Sequence, residues 1–342
     1  MNQKKSFAVW LLPLLTLLVM ALCVSVGSVS IPLSTVAEVL LRAVTGQAQS
    51  GTMAGILLKV RLPRVLCAAL EGASLSLCGA AMQGLLRNPL ADGSTLGVSS
   101  GASLGAAAAM LLGFSIPALP MAGAMGAAML FAFLSLVLVL SLAWGLDHSM
   151  ATQSMILIGV VFSMFVSALM NILVTFSSEK LRSITFWTMG SMASASMNSA
   201  GVLCAFLAPC AAMLLCQSAA LDALSMGEAQ AQHVGVPVRA VKLTVMVTVS
   251  VLTGVCVSVC GCIGFVGLVT PHMARMLVGP SHIRLLPSCM FFGAVFLMLC
   301  DLAARTLLSP LELPVGVVTS LIGAVVFIVI FYRHRKAGEG AC

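Results

Sequence analysis

Runs of about twenty consecutive apolar residues recur from one end of this chain to the other, and no other feature limits its fold so severely. Each run is long enough to cross a lipid bilayer as a helix. None alternates apolar and polar residues, as a membrane β-barrel strand must. With 60% of its 342 residues hydrophobic and only 8% charged, the chain has too little polar surface for a water-soluble domain of this length. The reading is an all-α polytopic membrane protein with about ten transmembrane helices, forming one integral-membrane domain over residues 1–342.

The expected spans are 7–27, 62–85, 95–112, 120–143, 153–176, 198–217, 240–259, 263–277, 286–307 and 314–331. The stretch after Lys4 and Lys5 is too long for a signal-peptide core and lacks a small-x-small cleavage site, so it is read as an uncleaved first span. Between spans one and two, Thr35 and Glu38 have capping-box spacing ahead of a short surface helix over 36–44. The outer loop 177–197 is expected to hold a short interfacial helix with Trp187 at headgroup depth. This topology puts both termini in the cytoplasm. Of the 17 Lys and Arg residues, ten then fall inside and seven outside, the sign required by the positive-inside rule. The net charge of +7 is scattered along the helix ends with few aromatics, which argues for membrane flanks and against nucleic acid.

One segment, 218–239, is too polar and too short to enter the membrane. Ser225 and Glu228 stand at capping-box spacing, predicting a helix over 226–234 that includes Gly227 and Ala231. Gly235 suits a left-handed cap, and Pro237 forbids continuation. A short capped helix between two spans is read as a docking surface.

Charged groups inside spans are costly unless paired or wet. Asp301 has Arg305 one helical turn later, so an ion pair on one face is expected. Glu71 lies seven residues after Arg64, about 10 Å deeper, and faces either a water-filled pathway or a neighbouring span; lining the pathway is the expectation. Arg61, Arg64 and Arg305 lie at outer helix ends, where they either anchor the helices or meet an acidic partner. Gly97, Gly101 and Gly105 form a small-residue stripe for close helix packing. The twelve cysteines include no C-x-x-C and lie mostly in apolar runs, so they are read as small hydrophobes and no metal site is expected. There is no phosphate-binding G-x-x-x-x-G-K-[ST], no H-E-x-x-H and no G-x-S-x-G. No catalytic residue is assigned, and energy for uphill transport has to come from a partner.

Arg61-Leu-Pro-Arg64, Gln83 through Asn88-Pro89-Leu90-Ala91-Asp92, and Leu96-Gly97-Val98-Ser99-Ser100-Gly101-Ala102 occur in order along the chain. They are followed by Gly264-Phe265-Val266-Gly267-Leu268-Val269, Pro271-His272, Asp301-Leu302-Ala303-Ala304-Arg305 and Glu312-Leu313-Pro314-Val315-Gly316. Together these motifs resemble the iron-chelate, cobalamin and haem ABC importer permeases of FecCD type. The resemblance implies a homodimer of ten-helix permeases, with the pathway on the two-fold axis, in the bacterial plasma membrane. It also implies two cytoplasmic ABC ATPase subunits and an extracytoplasmic substrate-binding protein. ATP and magnesium are then used by the ATPase, and no cofactor is bound by this chain. Ser225, Gly227, Glu228, Ala231 and Gly235 match the coupling helix that meets the ATPase. Arg61, Arg64 and Arg305 match the positions that dock the binding protein. Thr152 and Gln153 match the cytoplasmic gate, with Asn88 and Leu90 beside them. Three departures stand out: Glu71 where relatives are usually apolar, Gln153 where Ser is frequent, and no basic residue over 144–148.

The mechanism so implied is alternating access driven through the 218–239 loop. Ferric siderophore is the expected cargo, with cobalamin or haem as alternatives within the family. A secondary transporter or channel using Glu71 or Asp301 is the rival from another class. A soft-metal conduit built on the 22 methionines is a third, weaker reading, because methionine also fills helix interfaces.

Overall fold

The computed structural model describes residues 3–27, 31–45, 51–114, 122–146, 151–176 and 180–339. The expected start of span four at Pro120, the turn 147–150 and the first outer-loop residues 177–179 lie outside these. Among the described residues there are helices and no strands. They run α1 (Gln3–Ser25), α2 (Leu33–Val44), then one continuous rod of α3 (Thr52–Ile56), a π-helical turn (Leu57–Arg61) and α4 (Leu62–Leu86). Next come α5 (Val98–Leu111), α6 (Ala122–Leu146), α7 (Thr152–Thr175), α8 (Leu181–Thr188) and α9 (Met197–Cys216). The chain continues with α10 (Ser218–Met226), α11 (Glu228–His233), α12 (Val238–Cys260), α13 (Val266–Val278), α14 (His282–Thr306) and α15 (Val315–Glu339).

Each expected span has its helix. Six are long and apolar enough to cross a membrane by length and composition: Thr52–Leu86, Gly123–Leu146, Thr152–Thr175, Met197–Cys216, Val238–Cys260 and His282–Thr306. Shorter apolar stretches occupy α1, α5 and α15, and α13 has 13 residues. α5 and α13 are short, and each follows a non-helical segment, 87–97 and 261–265. Such backbone survives at membrane depth only when protein or a wet cavity satisfies it. In 87–97 side chains do so. Asn88 Oδ1 accepts from the Leu90 N–H at 2.9 Å, and Asp92 Oδ1 accepts from the Ser94 N–H at 3.0 Å. The Thr95 hydroxyl oxygen accepts from the Asp92 N–H at 2.8 Å.

α4 is the central pillar. Of its most apolar 18-residue window, 89% is buried, against 11% for α7. α14 packs most extensively on α4, and α12, α13 and α9 complete the ring around it. The approach of α4 and α14 is so close that a Cβ on Gly72 would strike the carbonyl of Gly293. In lipid, where apolar burial does not drive helices together, this backbone contact supplies the packing energy. The Gly101 and Gly105 faces of α5 abut Ser135, Phe131 and Ala127 of α6, as their spacing predicts.

Two helix starts differ from expectation. α2 begins at Leu33 with Pro32 as its N-cap, and no side chain caps it. Thr35 therefore lies inside the first turn, and Glu38 pairs with Arg42 on the exposed face instead of closing a capping box. The second difference lies in the 218–239 loop and is described below.

Candidate translocation pathway and coupling surface

A cavity of about 560 Å³ opens between α5, α7, α8 and the two non-helical segments. Hydroxyls and an amide line much of it: Ser99, Ser100 and Ser103 on α5, Ser167 and Asn171 on α7, Thr185 and Thr188 on α8. Asp92 and Ser94 contribute from one non-helical segment, Cys262 and Gly264 from the other. Ser103 Oγ and Cys262 Sγ lie 3.0 Å apart and share a hydrogen bond across this wall. A neighbouring groove of about 770 Å³ shares Asp92, Ser94, Ser167 and Asn171, and adds Asn88, Leu90, Ile156, Val160 and Ser163. On α7 the residues Ser163, Ser167 and Asn171 follow the i, i+4, i+8 rule, so one helix face is a polar stripe along the opening. Large apolar residues Leu157, Val161, Met164 and Phe165 stay exposed on this same helix.

Of the expected gate residues, Asn88 and Leu90 line the groove against α7. Thr152 and Gln153 do not line either opening. Thr152 starts α7 and turns toward the 218–239 loop, while Gln153 is exposed. Glu71 departs from its expected place. It is fully buried in α4 and lines neither opening. Its polar neighbours are the thiols of Cys256 and Cys260 on α12. Helix phase explains the correction: Glu71 points into the α4–α12 contact, and α4 exposes almost no surface to the pathway.

At the other end of the spans, the 218–239 loop folds as two short helices. The expected single helix over 226–234 is interrupted at Gly227, whose φ of 131° breaks the turn and makes it the N-cap of α11. Ser225 is therefore not a cap. It sits in the last turn of α10, and its hydroxyl donates to the Asp222 carbonyl at 2.6 Å. The C-terminal cap is as expected. Gly235 takes φ 83°, its N–H donates to Gln232 O at 2.9 Å, and the Val236 N–H donates to Ala231 O at 2.9 Å. That pair of bonds is the Schellman arrangement. Ala231 is buried against the bundle, while Met226 and Val234 stand exposed on either side of α11.

Carboxylates tie this loop to the spans. Asp222 accepts from the Ser281 hydroxyl at 2.9 Å, the His282 N–H at 2.8 Å and the His282 ring at 2.6 Å, capping the start of α14. Burial alone pushes the Asp222 carboxyl up, but these hydrogen bonds and the nearby imidazole together outweigh it and hold the group below the usual carboxylate range. Glu228 Oε1 pairs with Lys242 Nζ at 2.7 Å and accepts from the Thr152 hydroxyl at 3.3 Å. Lys242 is 1% exposed, so its charge is balanced inside the fold. Sequence reading missed Asp222 and Lys242. A lysine one turn into an apolar span was the available signal, since such a charge needs a partner.

At the opposite end, the expected Asp301–Arg305 pair forms at 3.1 Å. It belongs to a larger network. Arg64 Nε donates to Asp301 Oδ1 at 2.9 Å and Arg64 Nη1 to Glu312 Oε2 at 2.8 Å. Arg305 Nη2 donates to Cys23 O at 3.2 Å, and Arg61 Nη1 donates to Val24 O at 3.1 Å and Ser25 O at 3.0 Å. All three arginines are under 9% exposed. They clamp α1, α4 and α14 together and do not offer free charge, whereas Glu312 is half exposed. Among the described residues no cluster of three or more His, Cys, Asp or Glu could hold a metal ion.

Comparison with known proteins agrees with this architecture. The model of the FecCD transport family matches residues 14–333. An uncharacterised ABC transporter permease protein of Bacillus subtilis, YvrB, is 39% identical over 92% of this chain and 90% of its own. The hemin transport system permease HmuU of Yersinia pestis is 38% identical over 83% of this chain and 85% of its own. The vitamin B12 import permease BtuC of Klebsiella pneumoniae is 39% identical over 82% and 83%. Among solved structures, an ABC transporter described as metal-chelate type, in an inward-facing conformation, superposes with a TM-score of 0.83 at 33% identity. That alignment covers 96% of this chain and 99% of the other. The motif order, the paired openings along α7 and these matches lead to one conclusion: this chain belongs to the FecCD transport family and is an ABC importer permease.

Proposed function

We propose that the chain is the membrane permease of an ATP-driven importer for iron(III)–siderophore complexes. It receives cargo from an extracytoplasmic binding protein at the Arg64 end and is driven by two ATPase subunits at the 218–239 end. The observation that carries the cargo assignment is the lining of the cavity. Between apolar Val166, Met170, Ile184 and Val257 it offers hydroxyls, an amide and a single carboxylate, Asp92, and among the described residues no Lys, Arg or His. A ferric siderophore arrives with its iron already fully coordinated by oxygen, so it needs a wide hydrogen-bonding wall and no metal ligand from the protein. Haem carries two propionates that call for cations, and a bare oxyanion calls for them more strongly.

Two copies are expected to pair along α7, which the chain covers least and which carries both the polar stripe and exposed apolar side chains. The two-fold then joins two half-cavities into one path. The exposed Met226 and Val234 beside α11 suit a shallow apolar cleft on an ATPase. Binding-protein docking at the other end is expected to act on the buried arginine network through Glu312, the member of it that reaches solvent.

The test is uptake into proteoliposomes holding the permease, its ATPase and its binding protein. ATP-dependent uptake of 55Fe-ferrichrome, and not of haemin or cyanocobalamin, is the expected result. Uptake of haemin or cyanocobalamin alone reassigns the cargo, and uptake without the ATPase rejects the importer itself.

A further inference from the structure

The 218–239 loop holds the spans by two carboxylates that meet very different helices. Asp222 grips the start of α14, which is locked to the central pillar α4 through the Gly72–Gly293 approach and, at the far end, through Arg64 and Asp301. Glu228 reaches the first residue of α7, the least buried of the six long spans, whose packing is mainly against α5 and α6. A displacement of the loop therefore meets a stiff element through one contact and a compliant one through the other.

We propose that Glu228 is the joint that turns loop movement into α7 movement. Thr152 is the positioning residue that receives it, Lys242 fixes the carboxylate, and Asp222 holds the loop to the α4–α14 frame. The Lys242–Glu228 pair at 2.7 Å sets the carboxylate's place, because a buried ammonium cannot release its counter-charge cheaply. The Thr152 hydroxyl, 3.3 Å from the same oxygen, then ties the end of α7 to α11. The polar stripe of Ser163, Ser167 and Asn171 follows rigidly, since these residues share the helix. This inference rests on the reading of 218–239 as the ATPase-facing surface.

The experiment uses the full permease with its ATPase, carrying spin-labelled unnatural amino acids at the exposed positions Gln153 and Arg284, which report α7 against α14. The distance is measured by pulsed EPR without nucleotide and with ATP and vanadate. The wild type is expected to show a nucleotide-dependent shift. Thr152→Val removes the hydroxyl at constant shape and should cut the displaced population about fivefold, the scale of one ordinary hydrogen bond, while Thr152→Ser restores it. If Thr152→Val does not assemble, Glu228→Leu with Lys242→Met removes both charges together and makes the same break.

A wild-type shift in Thr152→Val overturns the joint. Replacing 227–235 by a Gly-Ser segment separates the two readings. If that replacement abolishes the shift while Thr152→Val does not, the coupling surface stands and the joint falls. If the replacement also leaves the shift intact, or the wild type shows none, both fall.

Discussion

Asp301 is almost completely buried and pairs with both Arg64 and Arg305, so at least one guanidinium depends on it for balance. Removing one partner of a buried pair strands the rest, at a cost of about 3–5 kcal/mol. Asp301→Asn is accordingly expected to lower the thermal unfolding temperature in detergent sharply. An unchanged melting curve would return the arginines to simple helix-end anchoring. Charge reversal at Arg64 should act the same way, so a docking defect in that variant has to be read beside its stability. Glu312→Gln, at the half-exposed end of the network, is the cleaner probe of docking. Glu71 carries the opposite expectation. A fully buried carboxyl faced by the weak thiol donors of Cys256 and Cys260 keeps a desolvation cost of about 1–3 kcal/mol, so Glu71→Leu should raise stability and leave transport intact. Loss of uptake in a well-folded Glu71→Leu protein would restore it to the pathway. Asp301–Arg305 was legible because one helical turn joins them. The share taken by Arg64, 237 residues away, was not, because nothing local links α4 to α14.

The short helices of the 218–239 loop show how local signals compete. Gly235 sits at φ 83° with open space where a Cβ would go, so Gly235→Ala costs only the left-handed backbone penalty, about 1–2 kcal/mol. Faster proteolysis or amide exchange in α11 is the expected readout. Ser225 caps nothing, and Ser225→Ala should stay within about 0.5 kcal/mol of wild type by the same measurement. The Asp222 clamp is pH-dependent. Its carboxyl is held below the usual range, so its stabilisation is complete above that range and is lost as pH falls through the depressed value. Amide exchange at the start of α14 should rise over that acid window, and Asp222→Asn should remove the dependence. Gly235 and Pro237 were readable as caps because glycine and proline act on their own φ. The break at Gly227, at φ 131°, was not, because a glycine is equally compatible with a helix interior and with a break.

At the scale of the whole molecule, the FecCD architecture places a cavity with several hydroxyls in its wall beside the least buried of the six long spans, and the proposed cargo is argued from that wall. Asp92→Asn leaves its turn intact, since an amide oxygen can still accept from Ser94, and is expected to change cargo preference more than folding. Comparing uptake of ferrichrome, haemin and cyanocobalamin by that variant measures it. The all-helical membrane class, the order of the apolar helices, the family motifs and the Gly235 cap were determined by the sequence alone. Apolar run length, glycine and proline are local quantities, and the bilayer admits few folds. Tertiary structure decided which charges meet. It buried Arg61, Arg64 and Arg305 in a clamp, set Glu71 beside Cys256 and Cys260 of α12, and joined Glu228 to Thr152 and Lys242. These outcomes depend on helix phase and on contacts between segments far apart in the chain. In a low-dielectric interior such pairings are set by whichever partner the packing brings within reach.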